Sequence, residues 1–234
     1  MNRPYIVCHM LTSLDGKIIG RYLKNMGTMG EEYEKIHKRY SATAWLCGRV
    51  TMEKDFTENH RLGLPKDITH SIPRTDHVAD QQAKTFAVAV DAHGKLGWTT
   101  STIGAADGDH IVEVLAESAP DAYLAHLRET GISYLFGGKE TLDFTLVAEK
   151  LKNLFGIEKL LLEGGGYING SFLREDLVDE YSWLVVPVAE GASGLLTAFE
   201  TMPGSTPGNP LDFSLEEAQK LENGGLWLRY TRKR

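Results

Sequence analysis

The chain has 234 residues, of which 42% are hydrophobic and 24% charged, and its formal net charge is −7 at pH 7. This composition is ordinary for a globular protein, and a chain of this length can bury about 70% of the surface that its unfolded form exposes, which argues against extensive disorder. The acidic balance argues against a nucleic-acid binder, which needs a basic face, but it is compatible with a small phosphorylated ligand.

The two cysteines, Cys8 and Cys47, lie in apolar stretches and follow no spacing pattern. They indicate buried thiols in a reducing compartment rather than a disulfide framework. No run approaches the roughly 20 apolar residues of a membrane helix, and the N-terminus lacks the order of an export signal. We therefore expect a cytoplasmic protein.

Apolar runs and helical periodicities alternate along the first two thirds of the chain. In chain order they predict a strand at 5–11, a helix at 31–40, a strand at 43–47, a helix at 49–56, strands at 86–90 and 111–115, a helix from 120, a strand at 133–136, a helix at 142–154 and a strand at 160–162. The polar segment 57–82 has two prolines and no sustained period, which predicts a long surface excursion.

The last third of the chain changes character. A strand predicted at 181–188 is followed by a loop at 189–209 that is rich in Gly, Pro and Ser. From 213 to 230, apolar and polar residues alternate around Asn223-Gly224-Gly225, which predicts an antiparallel hairpin. The order of elements predicts a three-layer α/β fold, with a mostly parallel central sheet, helices on both faces and a C-terminal antiparallel hairpin. No linker divides the chain, so we expect one domain over 1–234.

The strongest local motif is the strand 160–162 that runs into Glu163 and then Gly164, Gly165 and Gly166 before another helical pattern. A glycine-rich turn at a helix N-terminus exposes backbone N–H groups to which a pyrophosphate can come close. A tight turn without a ligand remains the alternative. The motif matches neither the Rossmann nor the P-loop pattern.

A second strand–helix junction has similar chemistry. Gly48 permits close approach, Arg49 can supply a charged fork and the Thr51 hydroxyl can cap the helix or bind phosphate. Alone this signal is weak, because an arginine in a first helical turn is usually solvated. Two such junctions in one parallel sheet suit a dinucleotide that lies across the carboxyl ends of the strands.

Five segments taken in order carry a resemblance to one family: 10–18, 48–51, 163–166, 169–173 and 177–180. Together they resemble the C-terminal reductase domain of RibD in riboflavin biosynthesis, which has a dihydrofolate-reductase-like fold. The resemblance extends from Arg3 to about Tyr230. It implies NADPH as the hydride donor and a small-molecule substrate like that of 5-amino-6-(5-phosphoribosylamino)uracil reductase, whose ribosyl group becomes ribityl. It also implies a homodimer, which we expect to join at Trp183–Val186 on a strand near the sheet edge.

The resemblance also implies roles for residues of this chain. Expected cofactor-binding residues are Gly48, Arg49, Thr51, Gly164, Gly165 and Gly166. Expected substrate-binding residues are His9, Ser13, Leu14 and Asp15. Expected catalytic residues are Asp55 and Glu163, and no metal is expected.

Each of these roles has a structural alternative. Asp15 could cap its Asp-Gly turn, Asp55 could be an exposed helix carboxylate, and Glu163 could bond nearby N–H groups. The chain also departs from the family pattern, because His9 stands where many members have lysine and an expected Asp-x-Pro step reads Asp55-Phe56-Thr57. A dihydrofolate or pterin reductase, or a nucleotide-binding protein without catalysis, therefore remains open as an alternative.

Overall fold

The computed structural model describes residues 2–25, 27–65, 71–104 and 108–233. Its elements in chain order are β1 (Tyr5–Thr12), a 3-10 helix (Arg21–Asn25), α1 (Met29–Arg39), β2 (Ala44–Gly48), α2 (Arg49–Asp55), β3 (Phe86–Val90), β4 (Thr102–Ile103), β5 (Asp109–Leu115), α3 (Asp121–Thr130), β6 (Ser133–Phe136), α4 (Phe144–Phe155), β7 (Lys159–Leu162), α5 (Gly166–Arg174), β8 (Glu180–Val185), β9 (Phe213–Lys220) and β10 (Leu226–Arg232). The chain folds into two compact units, one formed by 1–4 and 43–158 and the other by 5–42 and 159–234.

The first unit is built on parallel strands in the order β5-β3-β2, with β6 also parallel to β5 and β4 antiparallel to it. All five residues of β3 are buried, as expected for an inner strand of a parallel sheet. The helix α3 packs Tyr123, Leu124 and Leu127 into the core of this unit. Its C-cap, Gly131, has a left-handed φ of 75°, a conformation that glycine adopts without strain.

The second unit has the strand order β7-β1-β8-β10-β9. The strand β1 is parallel to both β7 and β8, and β10 is antiparallel to both β8 and β9. One core cluster of this unit joins Met29 and Ile36 of α1 to Leu184 of β8 and Trp227 of β10. Packing of the apolar face of α1 against these strands therefore orients the helix on the sheet.

The predicted α/β class, the mostly parallel pairing and the C-terminal antiparallel hairpin are confirmed. The strands at 86–90 and 133–136 have the predicted bounds, and Gly224 in the hairpin turn has a φ of 83°. The strand β8 ends at Val185, earlier than predicted, because Pro187 has no N–H group to continue the ladder. The 3-10 helix and the two-residue β4 were not predicted.

The position predicted for Trp183–Val186 near a sheet edge is wrong. The strand β8 lies between β1 and β10, so its backbone groups are paired on both sides. Beyond β8, the strands β10 and β9 of the predicted C-terminal hairpin form this end of the sheet, with β9 outermost. The reason given for a dimer at β8 therefore fails, although the dimer itself stays a prediction.

The excursion predicted at 57–82 is only partly described, since 66–70 lie outside the described residues. The described parts, 57–65 and 71–82, contain no helix or strand, as predicted. They are nevertheless attached to the first unit, because His77 and Tyr134 exchange two backbone hydrogen bonds of 2.8 and 2.9 Å. Cys8 and Cys47 are buried, and neither forms a disulfide within the described residues. No helix in the described part of the chain is long and apolar enough to cross a membrane.

Candidate functional site

The carboxyl ends of three parallel strands meet at one edge of the second unit. Cys8 of β1 pairs with Leu162 of β7, and Thr12 of β1 pairs with Val185 of β8. The segments that follow these strands, 13–15, 163–166 and 186–191, therefore share this edge, which we call the carboxyl edge. In α/β sheets, ligands bind at such an edge.

The three glycines after β7 have different structural reasons. Gly164 has a φ of 119°, which a side chain would strain, and a Cβ on Gly166 would lie 2.4 Å from the Thr197 carbonyl oxygen. A Cβ on Gly165 would meet nothing within 4 Å. Only Gly165 therefore faces open space, whereas Gly166 is required by packing.

The N-terminus of α5 fits an anionic group. Its N-cap residue is Gly165, and no side chain caps the helix there. The first N–H groups of a helix have no partner within the helix and attract negative charge. The helix is held in place from below, because Asn169 Nδ2 donates to the Ala198 carbonyl at 2.9 Å and Glu200 N donates to the Gly166 carbonyl at 2.9 Å. The supporting segment 197–200 was not recognised in the sequence.

Glu163 begins the same turn and is fixed by a histidine on α1. His37 Nδ1 lies 2.8 Å from Glu163 Oε1, and the Glu163 side chain is 11% exposed. Because a carboxylate only accepts, the imidazole is the donor. His37 was missed in the sequence, although it follows Tyr33 by one helical turn, and the ring of Tyr33 stacks on His9 in the interior. A histidine on the buried stripe of a helix is therefore the signal that could have found it.

His9 has protein partners on both ring nitrogens. Its Nδ1 lies 3.0 Å from Ser182 Oγ, its Nε2 lies 3.2 Å from the Tyr33 carbonyl, and its ring stacks on Tyr33 with centroids 4.1 Å apart. The residue is fully buried, and this desolvation lowers the pKa of His9 against the opposing effect of Glu163. These contacts favour a structural role over the expected contact with substrate.

The turn after β1 uses its polar side chains to hold a neighbouring loop. Ser13 Oγ donates to Asp15 Oδ1 at 2.7 Å, and the Asp15 carboxylate accepts from the N–H groups of Glu190 and Gly191 at 2.9 and 3.1 Å. The Ser13 bond and these backbone bonds lower the pKa of Asp15 to about 2. Leu14 is 61% exposed and forms the open surface of this turn. Their expected role in binding substrate stays a prediction.

The junction predicted in the first unit carries an ion-paired cluster. Gly48 is the N-cap of α2 in an extended conformation, without a side-chain cap. The Arg49 guanidinium is bonded to Glu53 Oε2, and Arg61 Nη2 lies 2.6 Å from Glu53 Oε1. One mostly buried carboxylate thus carries two arginines, and the cluster retains one net positive charge. Glu53 and Arg61 were not singled out in the sequence, because this pairing involves a loop.

Asp55 lies at the end of α2 and faces solvent. Its side chain is 47% exposed, and its carboxylate is 3.3 Å from Lys54 Nζ. Phe56 beside it is also exposed and packs against Trp45 with centroids 5.3 Å apart. No structural partner within the described chain fixes the Asp55 carboxylate in the way that His37 fixes Glu163. Its catalytic role stays a prediction.

The family model of the RibD C-terminal domain matches residues 4–226. The chain belongs to this family. A relative from Methanothermobacter thermautotrophicus, named 2,5-diamino-6-ribosylamino-4(3H)-pyrimidinone 5′-phosphate reductase, is 29% identical over 81% of this chain and 80% of its own length. The family match covers both the glycine turn after β7 and the junction after β2.

Two solved structures share the fold. A pyrimidine reductase-like protein from Corynebacterium diphtheriae has a TM-score of 0.68 at 17% identity, with 100% of this chain and 93% of that chain covered. RibD from Acinetobacter baumannii has a TM-score of 0.67 at 22% identity, with 100% of this chain covered. This chain spans 59% of that RibD chain.

Membership of this reductase family defines the type of enzyme. Three curated relatives are named as reductases, and the protein is an oxidoreductase. A reductase of this family uses a nicotinamide cofactor. The N-terminus of α5, which no side chain caps and where Gly165 leaves space, has the chemistry that an anionic group of such a cofactor requires.

Proposed function

We propose that the protein reduces the ribosyl group of a pyrimidine ribosylamine 5′-phosphate to a ribityl group, with NADPH as the reductant. The name of the 29%-identical relative supports this substrate class. The observation in this chain that carries the proposal is the uncapped N-terminus of α5 directly beside the fixed carboxylate of Glu163. The anion-binding turn suits the phosphates of the cofactor, and the neighbouring carboxylate suits the positively charged imine that forms from the substrate during reduction.

The proposed cofactor-binding residues lie at two strand–helix junctions. At the junction after β7, Gly165 and the first N–H groups of α5 suit a pyrophosphate, and Gly164 and Gly166 give the turn its shape. At the junction after β2, Gly48, Arg49 and Thr51 suit a phosphate, and the Arg49 fork favours the 2′-phosphate that distinguishes NADPH from NADH. When bound, the cofactor supplies the hydride.

The substrate must change before it can accept a hydride. Its C1′–O4′ bond breaks as the amine nitrogen forms a C=N bond to C1′, and O4′ gains a proton. Addition of a hydride to C1′ then converts the protonated imine into a secondary amine, so the overall reaction consumes NADPH and one proton. The imine nitrogen is positive when the hydride arrives, and a carboxylate close to it lowers the energy of that state.

Glu163 is the residue that best suits this role. His37 Nδ1 lies 2.8 Å from one carboxylate oxygen of Glu163, and this contact fixes the carboxylate beside the N-terminus of α5. A carboxylate whose position is fixed before the reaction does not have to reorganise as charge develops. Asp55 is the second candidate, and its exposure would require the bound substrate to cover it.

Turnover with defined substrates tests this function. The oxidation of NADPH is followed with the diaminopyrimidinone ribosylamine phosphate, with its deaminated uracil counterpart and with dihydrofolate. We expect turnover with at least one ribosylamine and none with dihydrofolate. Turnover of dihydrofolate alone would identify a pterin reductase. Binding of NADPH without turnover of any substrate would identify a nucleotide-binding protein without catalysis.

We further propose that residues 1–234 act as one reductase domain and that the protein is a cytoplasmic homodimer. A single family model over residues 4–226 supports one functional domain. The buried cysteines Cys8 and Cys47, which form no disulfide within the described residues, suit a reducing compartment. The proposal of a dimer is based on the family resemblance. Its interface is not assigned to β8, because β8 is an inner strand.

A further inference from the structure

A polar cavity lies at the edge of the second unit opposite to the carboxyl edge. It has a volume of about 220 Å³ and is formed where β1, β7 and β8 begin, together with the end of α1 and the strand β10. Three of its lining residues are cations: Arg39, Lys159 and Arg229. Since β1 is eight residues long, this cavity is roughly 25 Å from the carboxyl edge.

The buried acid in this cavity is already neutralised. Glu180 is 4% exposed and accepts from Arg229 Nε at 2.9 Å, from the Tyr5 hydroxyl at 3.1 Å and from the Tyr40 hydroxyl. Burial, followed by the effect of Glu180, raises the pKa of Tyr5 to about 12, so its phenol stays a donor at neutral pH. Glu180 therefore has three donors, one of them a cation, and it needs no further positive charge.

The other two cations are only weakly compensated. Among the residues that the structure describes, Lys159 Nζ donates to the Tyr40 carbonyl at 2.8 Å and has no carboxylate partner. Arg39 lies 3.8 Å from Glu217, a carboxylate that also bonds Arg229 at 3.1 Å. Among the described residues, the three cations therefore have two carboxylates, Glu180 and Glu217, as ion-pair partners, in a chain whose net charge is −7.

The Arg39 guanidinium is also oriented for binding. It lies over the ring of Trp227, 4.7 Å from the centroid. Stacking uses the face of the guanidinium and leaves the N–H groups on its edge for an acceptor. A planar fork beside a lysine ammonium is the arrangement by which proteins hold phosphate.

We propose that this cavity is a phosphate-binding site, separate from the carboxyl edge, in which Lys159 and Arg39 bind the anion. The volume accommodates a phosphate or a small phosphate ester but not a dinucleotide, because ligand pockets of drug size are about 300–1,000 Å³. The ligand is either free phosphate or the phosphate group of a small sugar ester. Both offer the same oxygens to the two cations.

Nuclear magnetic resonance locates the binding. Inorganic phosphate is titrated at constant ionic strength against chloride, and the indole N–H of Trp227, which donates to Ser182 Oγ at 2.9 Å, is the reporter. We expect its resonance to shift and saturate. Lys159→Met should weaken this binding by about tenfold, the scale of one charge-assisted hydrogen bond. A parallel titration with ribose 5-phosphate distinguishes the two candidate ligands, free phosphate and a sugar phosphate. If ribose 5-phosphate binds more tightly than phosphate, the sugar also contacts the cavity.

A matched control separates a site from general attraction. Lys35→Met removes the same charge from an exposed residue of the same unit that pairs with Glu32. We expect it to bind phosphate as the unchanged protein does. Equal weakening in both variants would mean an adventitious ion only, and shifts confined to 165–167 would place phosphate at the cofactor turn. Either result would overturn the proposal. If Lys159→Met does not fold, Arg39→Gln provides the same comparison.

Discussion

At the scale of single residues, the strongest assignment is the carboxylate of Glu163. Replacing it by glutamine keeps the shape and the bond to His37 but removes the negative charge. We expect Glu163→Gln to reduce turnover by about 100-fold or more, the scale of one positioned group, with NADPH affinity unchanged. Steady-state kinetics and a binding titration measure the two quantities.

Two variants serve as comparisons for this prediction. Glu158→Gln changes an exposed carboxylate that pairs with Lys152, and it should leave turnover unchanged. Asp55→Asn tests the other catalytic candidate under the same conditions. Normal turnover in Glu163→Gln, with a large loss in Asp55→Asn, would reverse the assignment of roles.

The proposed function assigns the preference for NADPH over NADH to Arg49. Arg49→Ala should weaken the binding of NADPH by about tenfold or more and leave the affinity for NADH nearly unchanged. Only NADPH has the 2′-phosphate that the charged fork of an arginine recognises. The fold should survive, since Glu53 keeps Arg61 as its ion-pair partner. Dissociation constants for both cofactors measure the effect. Equal losses for NADPH and NADH would mean that Arg49 does not contact the 2′-phosphate.

At the scale of elements, neighbouring glycines of one turn should respond differently to the same substitution. A Cβ on Gly166 would lie 2.4 Å from the Thr197 carbonyl oxygen, so Gly166→Ala should destabilise the protein by about 2 kcal/mol. A Cβ on Gly165 would meet no protein atom within 4 Å, so Gly165→Ala should preserve stability. The added methyl group would occupy the space proposed for the cofactor, so this variant should bind the cofactor about tenfold more weakly. Denaturant unfolding and cofactor titration of both variants measure this. Unchanged NADPH affinity in Gly165→Ala would exclude this turn as the cofactor site.

The stability of the fold should depend on pH because a buried carboxyl group lies in the contact between β5 and α3. Glu113 is fully buried, and its Oε1 accepts from Trp98 Nε1 at 3.0 Å and from the Tyr123 hydroxyl at 2.8 Å. Desolvation, followed by the nearby charge of Asp91, raises the pKa of Glu113 well above its ordinary value. The protonated form therefore stabilises the fold, and this contribution is lost as pH rises through the raised pKa of the folded state.

Glu113→Gln tests this pH dependence because its amide cannot ionise. The free energy of unfolding of the unchanged protein should fall as pH rises from the ordinary titration range of a carboxyl group through the raised pKa of Glu113 in the folded state. The variant should lose less stability over the same interval. Denaturant unfolding at several pH values measures the difference, and parallel curves for the two proteins would show that Glu113 does not cause the loss.

The elements that could be predicted are those with a signal in adjacent residues. The strands at 86–90 and 133–136 are short apolar runs closed by Asp91 and by Gly137, so their bounds were correct. The turn at 163–166 could likewise be predicted, because a strand, four small or acidic residues and a helix follow one another in the sequence. The strands that pair with β8 could not be predicted, because packing across the whole sheet sets the order of its strands. His37 and Glu163 are 126 residues apart in sequence, and only the fold brings them together.

At the scale of the whole molecule, the proposed dimer can be tested by a direct measurement of mass. We expect light scattering to give about twice the chain mass of 26.0 kDa over a range of concentrations. The inner position of β8 excludes backbone pairing of Trp183–Val186 with a second copy, and the outermost strand beyond β8 is β9, which is our candidate for the interface. Within the described chain, β9 is paired on one side only and carries Leu215 at 54% exposure. An unpaired edge with an exposed apolar side chain favours association unless charges oppose it. Leu215→Lys should therefore shift the measured mass toward 26.0 kDa if β9 forms the interface, and a mass of 26.0 kDa in the unchanged protein would contradict the dimer.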